Sequence, residues 1–284
     1  MKTLRKPDEM RAWSLEQKRS GKTIGLVPTM GALHEGHASL MRASARDNDV
    51  SVLSIFVNPT QFGPQEDYRE YPRTFDADCA MAEQIGMDAV YAPDADAMYP
   101  ANYVTYVTVE RLTEGLCGRT RPIHFRGVAT VVAKLFNAVL PDRAYFGQKD
   151  AQQCAVVRRM TRDLDFSIEI IEMPIIRQPD GLAMSSRNRY LNANDRTSAV
   201  ALSESLGKAK ALMDAGERAA ANVVGCVHRA LSGVPGLRVD YVEVVDAEEM
   251  TPVERIGGTV LLAAAVFIGK TRLIDNIKYK VPES

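Results

Sequence analysis

Histidine changes charge near neutral pH and is the commonest side chain for moving a proton. The sequence holds only four, and two of them, His34 and His37, stand three residues apart in Pro28-Thr-Met30-Gly31-Ala-Leu-His34-Glu-Gly36-His37. Residues three apart share one face of a helix, so both rings can address a single anion as proton or hydrogen-bond donors. Gly31 and Gly36 let the backbone approach such a ligand closely. A zinc-protease helix is excluded, because its two histidine ligands must lie four apart.

Three further segments carry groups suited to anions. In Tyr145-Phe-Gly147-Gln148-Lys149-Asp150-Ala-Gln-Gln153, Lys149 offers a point charge for phosphate and Asp150 an acceptor for ribose hydroxyls, with Gln153 one helical turn on. In Gly181-Leu-Ala-Met184-Ser185-Ser186-Arg187-Asn188-Arg189, two hydroxyls precede two guanidiniums, a combination that clamps phosphate oxygens. Phe56-Val-Asn58-Pro-Thr-Gln61-Phe62 places two amides where a carboxylate or hydroxyl can be held without charge. His124-Phe-Arg126-Gly127 adds cations whose role the spacing does not define. Taken singly, each has a plainer reading: Asn58-Pro59 starts a turn, Lys149-Asp150 is an ordinary solvated helix start, and residues 181–189 form a polar loop. Taken together they suit a nucleotide triphosphate.

Other phosphate motifs fail. Gly21-Lys-Thr and Gly269-Lys-Thr echo the end of a P-loop, yet Glu16 and Ala264 stand where its first glycine must be. No Gly-x-Gly-x-x-Gly occurs, which removes support for a nicotinamide cofactor.

These segments need a scaffold. Apolar, β-branched runs at 23–27, 50–57, 89–92 and 167–171 read as buried strands, alternating with helical patterns at 37–46, 74–85, 128–140 and 151–164. That alternation predicts βαβ units: an α/β, Rossmann-like parallel sheet with helices on both faces. Ligands bind such sheets beyond the carboxyl ends of the strands, where the histidine turn, the Asn58 loop and Lys149 fall. After Gln178-Pro-Asp-Gly181 the pattern changes to a long helical stretch over 195–231 and strands at 237–245 and 259–267. We therefore expect residues 1–177 to form the catalytic domain and 178–284 a smaller α+β domain of helices on a short, mostly antiparallel sheet.

The 284 residues carry 35 Lys+Arg against 36 Asp+Glu, a formal charge of -1. No global positive excess exists to attract nucleic acid or an anionic membrane, so any bound anion must be held locally. The four cysteines form no Cys-x-x-Cys pair and suggest neither zinc nor a disulfide framework. No signal-peptide core or membrane-length apolar run is present, and a cytoplasmic location is expected.

Read as an ordered set, Pro28-Thr-Met-Gly-x-Leu-His34-x-Gly-His37, Asn58-Pro-x-Gln61-Phe62, Tyr71-Pro-Arg-Thr74, His124-Phe-x-Gly127, Gly147-x-Lys149-Asp150-x-Gln-Gln153 and Met184-Ser-Ser-Arg-Asn188 closely resemble the pantothenate synthetase (pantoate–β-alanine ligase) family. The likeness runs in order from about residue 24 to 191 and resumes weakly at Thr271-Arg-Leu-Ile-Asp-Asn276. More widely it is similar to the nucleotidyltransferases that include class I aminoacyl-tRNA synthetases, with His34 to His37 matching their His-x-Gly-His turn and Met184 to Arg187 their Lys-Met-Ser-Lys-Ser loop. The resemblance implies ATP-dependent joining of pantoate to β-alanine through a pantoyl-adenylate, releasing AMP and pyrophosphate. It implies catalytic roles for His34, His37, Lys149 and Arg187, with His37 the proton donor. ATP would contact Met30, Gly31, His34, His37, Gly147, Gln148, Lys149, Asp150, Ile176, Met184, Ser185, Ser186 and Arg187. Gln61 and Gln153 would hold pantoate, and Gln61 would also orient β-alanine. Mg²⁺ would ride on the phosphates without a dedicated protein cage, and a homodimer is implied. The family commonly has Gly-Glu-Lys-Asp where this chain has Gly147-Gln148-Lys149-Asp150. The competing expectations are a nucleotidyltransferase that adenylates a small phosphorylated substrate and stops there, and a nucleotide sensor without turnover.

Overall fold

The structure is a computed structural model that describes residues 1–282. Its helices are α1 (Pro7–Arg19), α2 (Glu35–Asp47), α3 (Phe75–Ile85), α4 (Ala95–Met98), α5 (Leu116–Thr120), α6 (His124–Val139), α7 (Ala151–Asp163), α8 (Ala193–Asp214) and α9 (Ala220–Leu231). The strands are β1 (Lys2–Leu4), β2 (Ile24–Thr29), β3 (Val50–Ile55), β4 (Ala89–Tyr91), β5 (Arg143–Gly147), β6 (Glu169–Met173), β7 (Leu237–Asp246), β8 (Thr259–Ile268) and β9 (Thr271–Lys280). Two compact units divide the chain: Met1–Glu110, Arg121–Gln148 and Val156–Pro174 form the first, and Arg111–Thr120, Lys149–Ala155 and the chain from Ile175 onward form the second.

The first unit is built on a parallel sheet in the order β1-β4-β3-β2-β5-β6. Val27, Leu53, Val90 and Tyr145 project from its central strands into one apolar cluster with Met41 of α2 and Ala82 of α3, all nearly inaccessible. Burial of that face drives the packing of α2 and α3, because apolar area removed from water stabilises by roughly 25 cal/mol per Å². Helices α1 and α6 pack on each other and on β2, covering the opposite face. The Rossmann-like sheet with helices on both faces is thus as expected. From β2 the chain moves outward to β3 and β4, then returns to β5 on the other side of β2. The carboxyl ends of β2 and β5 therefore flank the point where strand order reverses, the place such sheets reserve for ligands.

The second unit holds the antiparallel sheet β7-β8-β9. The central β8 contains the longest apolar run of the sequence, and Leu262, Ala264 and Val266 on it join Leu202, Leu206 and Val223 of α8 and α9 in the core. Gly269-Lys270 links β8 to β9, so this P-loop echo is the turn of a hairpin.

Several elements differ from expectation. The helical stretch over 195–231 is two helices, because Gly216 (φ +100°) ends α8 in a left-handed cap, with Gly216 N–H donating to the Met213 carbonyl and Glu217 N–H to that of Leu212. Strand β6 begins at Glu169 rather than 167 and is half-exposed at a sheet edge, not buried. The three-residue β1 at the other edge carried too short an apolar pattern to be read. Helix α6 starts at His124, four residues earlier than the periodicity suggested, so His124 to Gly127 are its first turn. Among the described residues, no helix is long and apolar enough to cross a membrane.

Candidate active site

The histidine turn leaves the end of β2 and enters α2, as the sequence indicated. His34 is the N-cap: its Nδ1 accepts from Gly36 N–H at 3.2 Å, while His37 Nδ1 accepts from His34 N–H at 3.3 Å. The two rings stack with centroids 4.0 Å apart. A ring nitrogen that accepts carries no proton, so each neutral imidazole has its proton on Nε2. The capping box thereby does two jobs at once, satisfying the orphan N–H groups of the helix start and fixing both rings as Nε2 donors beside a helix N-terminus.

The loop ahead of them is held by a residue the sequence reading missed. Asp78 of α3, buried, accepts from Ala32 N–H at 3.0 Å, from Leu33 N–H at 2.9 Å and from Thr74 Oγ1 at 3.1 Å. Gly31 has φ +80°, and a Cβ there would stand 2.9 Å from Asp78 Oδ2 and 3.1 Å from Ile55 Cγ2. Only glycine lets the chain turn this close to the carboxylate. An acidic residue inside an otherwise apolar helix face, four after Thr74, was the available signal.

At the end of β3, Asn58 and Gln61 are both buried, but they have different tasks. Asn58 Oδ1 accepts from Thr60 N–H at 3.3 Å and from the Tyr99 hydroxyl at 2.9 Å, and its Nδ2 donates to Gln61 Oε1 at 3.0 Å and to the Gly127 carbonyl at 3.1 Å. Its amide is spent on the scaffold, so the expectation that it would hold a ligand is replaced by one of orienting Gln61. Burial pushes the Tyr99 hydroxyl up to about 12, which keeps it a donor to Asn58. With Oε1 occupied, Gln61 turns Nε2 toward Met30, donating to its sulfur at 3.2 Å. Thioether sulfur is a weak acceptor, so this amino group is suited to a stronger one such as a carboxylate or hydroxyl.

Two residues of the 124–127 segment lie against Gln61. The Gln61 carbonyl accepts from Arg121 Nη2 at 3.3 Å and from His124 Nδ1 at 3.1 Å, and since a carbonyl can only accept, His124 carries its proton on Nδ1. Gly127 brings α6 against the turn Pro59–Gln61: a Cβ would lie 2.6 Å from Gln61 Cα and closer still to the Thr60 carbonyl. Arg126 lies over the Tyr106 ring, 4.3 Å from its centroid. Of this segment, His124 and Gly127 support Gln61.

The remaining candidates have their own surroundings. Gly147 ends β5, and Gln148, Lys149 and Asp150 form a single 3-10 turn before α7. In the second unit, Lys149 and Asp150 form a loose ion pair at 3.9 Å, with Lys149 half-buried, Asp150 exposed and Gln153 half-buried. The neighbouring Gln152, buried, donates to the Leu112 and Gly115 carbonyls at 2.8 and 2.9 Å and accepts from Cys117 N–H at 3.0 Å. Ile176 and Met184 face each other across a hairpin, Met184 N–H donating to the Ile176 carbonyl at 2.9 Å. Ser185 caps the turn Ser186–Tyr190, its Oγ accepting from Arg187 N–H at 3.2 Å; Ser186 is buried and Arg187 half-buried.

Comparison with known proteins bears on what this geometry serves. A family model described as pantoate-beta-alanine ligase matches residues 2–278. The chain is 56% identical over 264 residues to the pantothenate synthetase of Moorella thermoacetica, covering 93% of each, and 53% identical over 277 residues to that of Thermosipho africanus, covering 98% of this chain and 99% of the other. The crystal structure of pantothenate synthetase from Thermus thermophilus superposes with a TM-score of 0.92 at 42% identity, covering 98% and 99% of the two chains. Pantoate-beta-alanine ligase from Francisella tularensis, crystallised with beta-gamma ATP and beta-alanine, superposes at 0.80 with 30% identity over 98% and 97%. Matches of this extent span both units as well as the histidine turn, and on them the chain belongs to the pantoate–β-alanine ligase family.

Proposed function

We propose that this enzyme, which joins pantoate to β-alanine in pantothenate biosynthesis, works in two steps with ATP and a pantoyl-adenylate. In the first, a pantoate carboxylate oxygen attacks the α-phosphorus of ATP and the bond to the β-phosphate oxygen breaks, releasing pyrophosphate. In the second, the β-alanine amine attacks the acyl carbon, loses a proton and expels AMP. The observation that carries the reading is the capped histidine pair, two neutral rings fixed as Nε2 donors at a helix N-terminus. An anion attacking an anionic phosphate needs preorganised donors where negative charge grows on the leaving group.

In this reading His37 donates to the departing phosphate oxygens, with His34 beside it. The nucleotide contacts belong to Met30, Gly31, His34, His37, Gly147, Gln148, Lys149, Asp150, Ile176, Met184, Ser185, Ser186 and Arg187. Lys149 and Arg187 supply charge for the phosphates, and Asp150 accepts from ribose. Gln61 presents its amino group to pantoate and orients β-alanine, and Gln153 adds a second amide for pantoate. Among the described residues, no group of three or more His, Cys, Asp or Glu side chains is placed to hold a metal. A Mg²⁺ carried by phosphate oxygens and water would neutralise charge on the triphosphate. The division into a catalytic part at 1–177 and a part at 178–284 that closes over the adenylate, a homodimeric state and a cytoplasmic location belong to the same proposal.

Isotope exchange tests it. With pantoate, ATP and Mg²⁺ but no β-alanine, labelled pyrophosphate should enter ATP, and AMP should accumulate stoichiometrically with product only when β-alanine is added. Absence of pantoate-dependent exchange would rule out a reversible adenylate.

A further inference from the structure

The segment Thr271-Arg-Leu-Ile-Asp-Asn276 contributes no residue to the mechanism above, yet β9 carries two adjacent buried polar side chains there, Asp275 at 2% exposure and Asn276 at 4%. Successive side chains of a strand point to opposite faces. Asp275 shares its face with Leu273 and Tyr279, which enter the apolar core under α8 and α9. There it binds Arg177 through both oxygens, Nη1 to Oδ2 at 2.6 Å and Nη2 to Oδ1 at 3.0 Å, and Arg177 Nη1 also donates to the Gly181 carbonyl at 3.1 Å. On the other face Asn276 Nδ2 donates to the carbonyl of Lys149 at 3.0 Å. Asp275 Oδ1 further accepts from Asn276 N–H at 2.8 Å, so the two side chains are tied through the strand itself.

Burying a carboxylate beside an apolar core costs more than an apolar residue of the same size would, and the bidentate pairing with Arg177 offsets that cost. A positional effect is visible in what the two contacts hold. Arg177 follows Ile176 directly and pairs with Ala183, so its clamp fixes the hairpin that sets Ile176 against Met184 and leads into Ser185 to Arg187. The Asn276 contact fixes the backbone of Lys149 whatever its side chain does. We propose that Asp275 and Asn276 are positioning residues that hold the Lys149-Asp150 turn and the 176–187 hairpin in fixed register for ATP. This rests on the reading above that both segments contact the nucleotide.

The test measures ATP dissociation constants and the separate KM values for ATP and β-alanine on the purified full chain, for Asn276→Ala, Asp275→Asn and Lys149→Ala. Loss of one such hydrogen bond is expected to weaken ATP binding about 5- to 10-fold in Asn276→Ala, with a larger effect in Asp275→Asn, while the β-alanine KM stays put. Arg177 is one-third exposed and can reach water, so Asp275→Asn keeps the fold, and Asn276→Ala removes the neutral bond to the Lys149 carbonyl. A merely structural role would lower the melting temperature and leave ATP affinity of the folded protein unchanged; that result, or equal rises in both KM values, overturns the positioning role. Near-parental turnover in Lys149→Ala overturns instead the ATP reading beneath it.

Discussion

Replacing Asp78 should uncouple the histidine turn from the sheet that carries it. Its carboxylate is acceptor for two main-chain N–H groups, of Ala32 and Leu33, whose residues are 0% and 8% exposed, so neither donor has water as a ready substitute. In Asp78→Asn one oxygen becomes an amino group facing an N–H, and one buried donor goes unsatisfied, costing about 1–3 kcal/mol. In Asp78→Ala both donors lose their partner, and the loss is about 2–6 kcal/mol. Urea unfolding followed by circular dichroism reads both values, with an unchanged m-value showing that the loss belongs to the native state. Under conditions where the variants remain folded, kcat should fall further than stability explains, because displacement of a catalytic group by about 1 Å can cost about 10²-fold. An Asp78→Asn protein with parental unfolding midpoint and parental kcat would refute the view that this carboxylate positions the turn.

Other outcomes follow from the same structure. Gly127→Ala forces α6 away from Gln61 and should raise the pantoate and β-alanine KM values more than that for ATP, measured by AMP release; Gln61→Ala should show the same selectivity. His37→Ala and Lys149→Ala should each lower kcat by about 10²-fold or more, the scale of one donor to a developing anion. Asp49 accepts from Thr23 N–H and Oγ1, bonds that hold its carboxyl below the usual range. A depressed carboxyl stabilises above its unfolded value of about 4 and loses that contribution as pH falls through the folded one. Melting temperatures of the parent and Asp49→Asn should therefore differ near neutral pH and converge in acid.

The parts of the molecule that could be read from sequence are those whose signal is local. The β2 turn announces itself through Gly31, His34, Gly36 and His37, and the parallel sheet through apolar runs alternating with helical periods. What stayed hidden is long-range. Asp78 lies forty-odd residues beyond the N–H groups it holds, Asn276 over a hundred beyond Lys149, and no spacing rule connects them. Asn58 was visible as an amide after a strand, but whether it faces ligand or scaffold depends on Tyr99 and Gly127, distant in sequence. The break at Gly216 was legible in principle, since a glycine just past the last helical turn is a common helix stop, but the Ala-rich composition on both sides masked it.

The row of contacts from Tyr99 through Asn58 to Gln61 runs one way only. Phenol gives to amide oxygen, amide nitrogen gives to the next amide oxygen, and the last nitrogen is left as a donor against the Met30 sulfur. Polarity is thus imposed on Gln61 from behind, by groups that carry no net charge. An aspartate at position 58 would be nearly isosteric, yet it could donate to neither Gln61 Oε1 nor the Gly127 carbonyl, and its charge would push a substrate carboxylate back out. For the pantoate carboxylate proposed to meet Gln61, this row is a directed dipole that attracts an anion through groups themselves uncharged.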